Sequence, residues 1–442
     1  MREIWKMPMR EQIEAARTGA LRAEELVQVY LDRLERYGGK DGLNVLAERN
    51  PRVLEEARAL DAQPERRGAL FGLPILVKDN IDVLGLHTTA GSFALGDNVS
   101  EHDAPVIANL RRAGALILGK SNMTEFANYT SSNMPNGFSS RGGQVVHAYD
   151  CKKDPSGSST GSAVAVSAGL CAAAIGTDTS FSIVGCATEH GVTGFKPAHG
   201  ALSGRGIAPI ASVLDSAGPI TRTLEDAILV YQAMRGAPTE PIRAADAGRL
   251  RLAVNTVNQE MVSDAQMALY QGVLDALQSG GATIETVSHP YQPMQKDVMR
   301  CAFRHDLEDY LAGTKTKNRT LAQIVAQYEA NPARMPYGID LLCAALESDS
   351  TDPVYARALE EREAVRARLM ESLRDFDACL MTGPTNIMHF GGFPSVALRL
   401  GMGKDNTPRG MILYGADEKR LLSAALCIER FTKPITPPEV FG

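Results

Sequence analysis

The segment that most restricts the possible folds of this chain is residues 155–177, where 23 consecutive residues carry no charge. A segment of this length can span a bilayer if it is apolar throughout. Eleven of its residues are Ser, Gly or Thr, and small hydroxylated side chains at this density suit close backbone packing in a folded core better than contact with lipid. We therefore expect no membrane span and a core built around this segment.

Composition excludes several classes of protein. The chain has 442 residues, of which 44% are hydrophobic and 22% charged, enough to bury a large core. Its 46 basic and 52 acidic residues form no basic stripe, so nucleic acid is not an expected ligand. Its seven cysteines are scattered and never spaced as C-x-x-C, so we expect neither a disulfide framework nor a metal site. The N-terminus lacks an apolar signal region, and a reducing cytoplasm is the expected location.

Hydrophobic periodicity predicts alternating strands and helices, and hence an α/β fold. We predict an amphipathic helix over 22–38, a charged helix ending near Arg66 or Arg67, and a strand over 70–79 with Lys78 at its end. The small-residue segment predicts a helix over 163–170 and a strand over 172–176. A helix beginning at Pro353 has Ala358, Val365, Leu369, Leu373 and Phe376 on one face. Strand patterns flank a helical region at about 240–375, so we expect one domain over 1–442 with that region as an elaboration.

Two familiar motifs match the sequence but fail on context. Residues 114–121, GALILGKS, fit a phosphate-binding loop, but the Ala-Leu-Ile-Leu run predicts a straight strand, which cannot enclose a phosphate. Residues 157–161, GSSTG, fit the nucleophile elbow of α/β-hydrolases, with Ser159 as nucleophile. The elbow needs an apolar strand before it, whereas a polar loop with a proline precedes it here. An esterase that uses Ser159 therefore stays as a minor alternative.

A third motif is absent. No lysine has a serine three positions before it, which excludes the S-x-x-K arrangement of β-lactamase-type enzymes. A lysine that assists a serine in this chain must therefore come from a distant segment.

Several ordered blocks together resemble the amidase signature family. They are GLPILVKDN at 72–80, TTAGS at 88–92, GKSNMTEFA at 119–127, PSGSSTGSA at 155–163, GTDTSFSI at 176–183 and GFKPAHG at 194–200. The resemblance implies a mixed central β-sheet covered by helices on both faces, and an amidohydrolase that needs no cofactor or metal. It implies a small-molecule amide as substrate, and a homodimer is the candidate assembly.

The resemblance also assigns residues to roles. Lys78, Ser158 and Ser182 correspond to the family's catalytic lysine, bridging serine and nucleophile, and the Gly157–Ser158 peptide would be cis. The backbone N–H groups of Thr179, Ser180, Phe181 and Ser182 would form the oxyanion hole. Supporting roles fall to Ser159, Thr177 and Asp178, and substrate contacts to Met123, Tyr129, Arg141 and Gln144. Taken singly, Lys78 also fits an ordinary strand end and the Ser158-Ser159 pair an ordinary helix cap.

The chemistry explains why these residue types are needed. Amide cleavage requires a deprotonated nucleophile and a protonated leaving amine. A lysine can accept the proton only when neutral, and burial lowers a lysine pKa by up to roughly 3–5 units. Ser158 would relay the proton between Lys78 and Ser182, which would form the acyl-enzyme.

One pair of residues departs from the family pattern. The family commonly has Gly-Gly before the nucleophile, whereas this chain has Ser180-Phe181. If the loop requires a positive φ at either position, a Cβ is unfavourable there. We expect the loop to keep its geometry, with Phe181 lining or bracing the acyl pocket. A catalytically impaired binding homologue is the alternative.

A second amidase class resembles the chain equally well in these blocks, the glutaminase-type subunit of an amidotransferase. Such subunits usually carry Arg two residues past the nucleophile, to pair with a substrate carboxylate. This chain has Val184 there, which disfavours an anionic amino acid as substrate. The sequence leaves open whether the substrate is a primary amide, an anilide, a fatty-acyl amide or a carbamate.

Overall fold

The computed structural model describes residues 3–236 and 241–439. The ends of the predicted domain, 1–2 and 440–442, and residue 240 at the start of the predicted elaboration lie outside the described residues.

The described residues form α-helices and β-strands that alternate over most of the chain. The strands are β1 Leu46–Arg49, β2 Pro74–Lys78, β3 Leu116–Ser121, β4 Phe138–Ser139, β5 Gly143–Gln144, β6 Ala173–Asp178, β7 Thr193–Lys196, β8 Ser216–Thr221, β9 Arg251–Asn255, β10 Thr283–Val287, β11 Ala378–Met381, β12 Ser395–Met402 and β13 Pro408–Tyr414. The helices are α1 Met9–Thr18, α2 Ala23–Tyr37, α3 Val53–Asp61, α4 Pro105–Arg112, α5 Thr160–Ser167, α6 Val184–His190, α7 Leu224–Arg235, α8 Asp264–Ser279, α9 Gln295–Ala312, α10 Leu321–Ala330, α11 Asp340–Leu346, α12 Pro353–Leu373, α13 Ile387–Phe390 and α14 Glu418–Ile428.

Eleven of these strands form one mixed sheet in the order β1-β3-β2-β6-β8-β7-β12-β13-β11-β9-β10. Neighbours β3, β2 and β6 run parallel to one another. In the series β6, β8, β7, β12 and β13, each strand is antiparallel to the next. The buried apolar side chains form two hydrophobic clusters, and successive residues of one strand belong to different clusters. Leu252 and Val254 of β9 pack in one cluster and Ala253 in the other. Because side chains alternate across a strand, both faces of the sheet are covered. The mixed α/β fold implied by the sequence is confirmed.

Strand β2 positions the first functional side chain. All five of its residues are buried, as expected for a strand covered on both faces. It lies between β3 and β6, parallel to both. Because carboxyl ends of parallel strands meet at one edge of a sheet, Lys78 at the end of β2 lies beside Thr177 and Asp178 at the end of β6. The strand predicted over 70–79 is present but shorter, since it begins at Pro74 and ends at Lys78.

The charge-free segment forms helix α5 and strand β6, and every residue of both is buried. The helix begins at Thr160, three residues before the predicted start, and β6 extends to Asp178. Small side chains are required because the backbones approach closely: a Cβ on Gly161 would lie 2.3 Å from the carbonyl oxygen of Asn122. No helix within the described ranges has both the length and the apolar character to cross a bilayer.

Other predicted boundaries were correct only in part. Helix α2 matches its prediction over 22–38, with the apolar stripe from Ala23 to Leu34 buried. The charged helix ends at Asp61 and not near Arg66 or Arg67. Pro64 explains the early end, because the residue before a proline is disfavoured in the helical conformation.

The long charged helix before β11, α12, also ends earlier than predicted. Ala358, Val365, Leu369 and Leu373 of α12 are buried on one face as predicted, but the helix ends at Leu373. Phe376 lies beyond the helix and packs only partly buried against the core.

We predict that Gly161→Ala lowers the free energy of unfolding by about 1–3 kcal/mol, the usual effect of overpacking. The new methyl group would meet the backbone carbonyl of Asn122, which cannot rotate away. Chemical denaturation followed by circular dichroism measures the change.

Gly272→Ala is the matched control, because Gly272 lies inside α8 with open space where its Cβ would be. Alanine there should raise stability by about 0.5–1 kcal/mol through helix propensity. Equal effects of the two substitutions would contradict the packing account of the charge-free segment.

Candidate active site

Lys78 is fully buried and surrounded by neutral oxygens. Its Nζ lies 2.7 Å from Ser158 Oγ, 3.0 Å from Ser159 Oγ and 2.9 Å from Thr177 Oγ1. The carbonyl of Thr177 is 3.2 Å away. Burial lowers the pKa of Lys78 to about 7, against the attraction of more distant carboxylates. The neutral, proton-accepting form of this lysine is therefore accessible near neutral pH.

A second buried lysine, Lys120, has a carboxylate near its ammonium group. Lys120 lies in β3, within the segment that matches a phosphate-binding loop but forms a strand as predicted. Its Nζ is 3.7 Å from Asp79 Oδ1 and donates to Thr88 Oγ1 at 3.0 Å. Burial also lowers the pKa of Lys120, although the Asp79 carboxylate opposes that change. Lys78 differs in that its hydrogen-bond partners are all neutral oxygens.

Ser158 and Ser182 extend a continuous chain of polar atoms from Lys78. The two Oγ atoms are 3.0 Å apart, and the Gly157–Ser158 peptide is cis. Ser159 N–H donates to the carbonyl of Ser182 at 3.1 Å, which joins the two serine segments. Ser158 and Lys78 have no exposed surface, but Ser182 is 5% exposed. Ser182 is therefore the member of the chain that a substrate can reach.

The predicted supporting residues surround this chain. Ser159 Oγ contacts Lys78 and donates to the carbonyl of Thr177 at 3.0 Å. Thr177 Oγ1 accepts from Asn80 Nδ2 at 3.0 Å. The Ser159 hydroxyl is thus occupied by Lys78 and Thr177. These contacts fit the predicted supporting role of Ser159 better than the role of a nucleophile in an elbow motif.

Asp178 binds the backbone just past the nucleophile. Its Oδ2 accepts from the N–H groups of Ile183 at 2.7 Å and Val184 at 3.2 Å. Burial opposes ionisation, but the His389 and Lys196 side chains and the Ile183 N–H outweigh it and hold the pKa of Asp178 below its usual range. An ionised Asp178 thereby fixes the backbone that follows Ser182.

Residues 179–182 lie between β6 and α6 and include Ser182, the predicted nucleophile, so we call them the nucleophile loop. Phe181 has a φ of +67°, the left-handed conformation that disfavours a Cβ. Its N–H donates to Nε2 of His389 at 3.3 Å. Gln295 Nε2 donates to the carbonyl of Thr179 at 2.9 Å, and the Thr179 hydroxyl contacts Asp215.

Sequence reasoning missed most of the residues that hold this loop. Asn80 belongs to the V-K-D-N block and was within reach of the motif analysis. Gln295, Asn386 and His389 belong to no recognised block, and Asn386 joins Gln292 and Gln295 by side-chain hydrogen bonds. They reach the loop from α9 and α13, more than a hundred residues away, and no local pattern could have identified them.

The four residues predicted to contact the substrate each pack against or bond to neighbouring residues. Met123 is fully buried, and the Tyr129 ring packs on Phe303 with centroids 4.8 Å apart. Arg141 lies 3.8 Å from both Glu48 and Asp79 carboxylates, and Gln144 donates to the carbonyls of Asn136 and Val145. These partners give each of them a place in the fold.

A cavity of about 620 Å³ adjoins the site. Its lining includes Asn80, Thr177 and Thr179 from the site, together with Ile210 and Tyr310. Its size suits a small organic ligand. No group of three or more His, Cys, Asp or Glu side chains in the described ranges is arranged to hold a metal ion.

Comparisons with known proteins agree with this geometry. The family model for Amidase matches residues 25–404. A probable amidase of Arabidopsis thaliana is 29% identical over 95% of this chain and 88% of its own length. A glutamyl-tRNA(Gln) amidotransferase subunit of Nitratidesulfovibrio vulgaris is 32% identical over 95% of both chains.

A solved structure extends the likeness to three dimensions. The native peptide amidase of Stenotrophomonas maltophilia superimposes with a TM-score of 0.90 at 30% identity, covering 98% of this chain and 99% of that one. The chain therefore belongs to the amidase family, as its sequence blocks implied. It is a hydrolase of amide C–N bonds.

We predict that Lys78→Met removes a pH-dependent part of the stability. The folded pKa of about 7 lies below the ordinary lysine value, so between the two values the unfolded chain binds a proton that the folded protein does not. Stability of the wild type should rise relative to Lys78→Met by up to about 1.4 kcal/mol per pH unit across that window.

Urea denaturation of both proteins at a series of pH values from 6 to about 10 measures this difference. Lys120 and Lys196 are present in both proteins, so their own titration cancels. Parallel stability curves would show that Lys78 is charged in the folded protein at all these pH values.

Proposed function

We propose that the protein hydrolyses small or hydrophobic amides through an acyl-enzyme on Ser182. The observation that carries this proposal is the unbroken path from Lys78 Nζ to Ser158 Oγ at 2.7 Å and on to Ser182 Oγ at 3.0 Å. Each step is within hydrogen-bond reach, so a proton can pass along it in either direction.

The reaction begins with neutral Lys78. Lys78 accepts the proton of Ser158, Ser158 accepts that of Ser182, and Ser182 Oγ attacks the amide carbonyl carbon. The tetrahedral intermediate collapses as the C–N bond breaks, and the same proton returns through Ser158 to the leaving nitrogen. The products of this half-reaction are a free amine or ammonia and an ester on Ser182.

Water completes the cycle by the same path. It loses a proton through Ser158 to Lys78 and attacks the ester carbonyl. Breaking the ester releases the carboxylic acid, and Ser182 regains its proton from Ser158. The chain of groups is restored at each turnover.

The negative charge on the carbonyl oxygen requires donors that are already in place. We assign this task to the N–H groups of the nucleophile loop, Thr179, Ser180, Phe181 and Ser182. In the described chain, the N–H groups of Ser180 and Ser182 donate to no protein acceptor. The N–H of Phe181 is engaged by His389 in this structure, which leaves the N–H groups of Thr179, Ser180 and Ser182 as the principal donors.

A glutaminase-type amidotransferase component is the second candidate, motivated by the likeness to the Nitratidesulfovibrio vulgaris protein. That activity calls for a cation to pair with the substrate carboxylate. Val184, two residues past the nucleophile, is fully buried and apolar. This residue favours an uncharged amide, and the likeness to a peptide amidase makes the amide of a peptide a further candidate substrate.

We expect a fluorophosphonate probe to label Ser182 in the wild type. Ser182→Ala should abolish labelling at that site and amide turnover, and Lys78→Ala should lower turnover by about 10²–10⁴-fold, the usual contribution of a general base. Mass spectrometry of peptides identifies the labelled residue. Lys152→Ala, which changes an exposed lysine, is the control and should behave as the wild type.

Two results would overturn the mechanism. Labelling at Ser159 in place of Ser182 would favour the elbow nucleophile, and wild-type turnover in Lys78→Ala would remove the lysine from its role. A well-folded wild type without labelling at any serine would favour a binding homologue.

We expect a panel of substrates to show hydrolysis of neutral primary amides, anilides, long-acyl amides, urethanes or peptide C-terminal amides, and little of free glutamine. The buried Val184 leaves no cation at that position for the glutamine carboxylate. Val184→Arg is the complementary variant, because it introduces a cation at the position where glutaminase-type subunits usually carry one. Rapid glutamine hydrolysis by the wild type would favour the amidotransferase role.

A further inference from the structure

The nucleophile loop holds a bulky residue in a conformation that most residues avoid. Phe181 has a φ of +67° one residue before Ser182. The left-handed region is open to glycine but unfavourable for a side chain with a Cβ, and it persists only where the surroundings hold it. Contacts from other residues of this chain must therefore stabilise the left-handed conformation of Phe181.

His389 contacts Phe181 in two ways. Its Nε2 accepts the Phe181 N–H at 3.3 Å, and the two rings pack with centroids 4.6 Å apart at an angle of 60°. On the other side, the carbonyl of Phe181 accepts from Gly185 N–H at 2.7 Å in the first turn of α6. A Cβ on Gly185 would lie 3.1 Å from that of Phe181, so this position leaves little room beyond a hydrogen.

The second ring nitrogen of His389 faces Asp178. Nε2 is the atom that accepts the Phe181 N–H, so Nδ1 is the atom turned toward the carboxylate. Nδ1 lies 3.1 Å from Oδ1 of Asp178, within ion-pair distance but out of line for a hydrogen bond. Neither atom has another partner in the described part of the chain.

Asp178 links this contact to the other side of the nucleophile. Its second oxygen holds the N–H groups of Ile183 and Val184. The Asp178–His389 pair therefore touches the backbone both before and after Ser182. Both side chains have no exposed surface, so the pair is enclosed by protein.

We infer that Asp178 and His389 are positioning residues that hold Phe181 in its left-handed conformation and so aim the donors of the nucleophile loop. This inference rests on the proposed function, in which those donors bind the oxyanion. With the Phe181 N–H held by His389, the flanking N–H groups of Ser180 and Ser182 are left free to face the substrate. His389 thus supplies the constraint that a Gly-Gly sequence would not need.

The expected consequence concerns the rate of the chemical step. A displacement of reacting groups by about 1 Å lowers rates by about 10²-fold, and donors that act in the transition state affect kcat more than KM. Loss of the His389 contact should therefore lower kcat while KM changes little.

The test uses the full-length protein with His389→Leu and His389→Gln. Leucine removes the acceptor, and kcat should fall by about 10²-fold. Glutamine places an amide oxygen near the position of Nε2 and should recover most of the wild-type kcat. His289→Leu is the matched control, because His289 is also buried but bonds to Tyr414 and Ser372, away from the loop.

A double substitution separates holding the loop from general packing. Glycine adopts the left-handed conformation without support, so in a Phe181→Gly background the further change His389→Leu should lower kcat by much less than in the wild type. Thermal unfolding of all variants, run in parallel, shows which losses reflect unfolding.

The outcomes distinguish this inference from the proposed function. Wild-type kcat in a folded His389→Leu variant, or the same loss of kcat in both backgrounds, would overturn the positioning role and leave the Ser182 mechanism intact. An inactive wild type that the fluorophosphonate probe does not label at Ser182 would overturn the proposed function itself.

Discussion

The site depends on a lysine ammonium group that the fold encloses among neutral oxygens. Lys78 has no exposed surface, and its four nearest polar atoms belong to Ser158, Ser159 and Thr177. Removing an ammonium group from water without a partner carboxylate favours its neutral form. The Asp178 carboxylate attracts the lysine charge, but its oxygens bind the Ile183 and Val184 N–H groups or face His389.

This enclosure requires backbones that approach closely, which explains the charge-free segment. Gly176 of β6 has no room for a Cβ, since Ser159 Oγ would lie 2.7 Å from it. Gly161 at the start of α5 packs directly on the backbone of Asn122. Small residues in α5 and β6 therefore allow the segment that carries Ser158 and Ser159 to pack closely on the end of β6.

The sequence indicated the fold and the catalytic chain because both leave local signals. The buried strand that ends at Lys78 and the run of small residues around Ser158 can each be recognised from a short stretch of neighbouring residues. The Gly157–Ser158 peptide is cis as the resemblance implied, and Phe181 has the positive φ that made its side chain unexpected. Residues that act through tertiary contact leave no such signal. His389 and Gln295 meet the nucleophile loop only because α13 and the start of α9 lie beside it, and the adjoining cavity is likewise lined by segments that are distant in the sequence.

Direct titration of the Lys78 side chain tests whether it becomes neutral near physiological pH. Carbon-13 labelling at lysine Cε allows each resonance to be followed by NMR, and comparison with Lys78→Met assigns the signal. We expect a midpoint close to the pKa of about 7 that burial gives this lysine. A signal that stays in the charged form to about pH 10, as for an ordinary lysine, would mean that Lys78 cannot accept the proton and that Ser182 needs a different base.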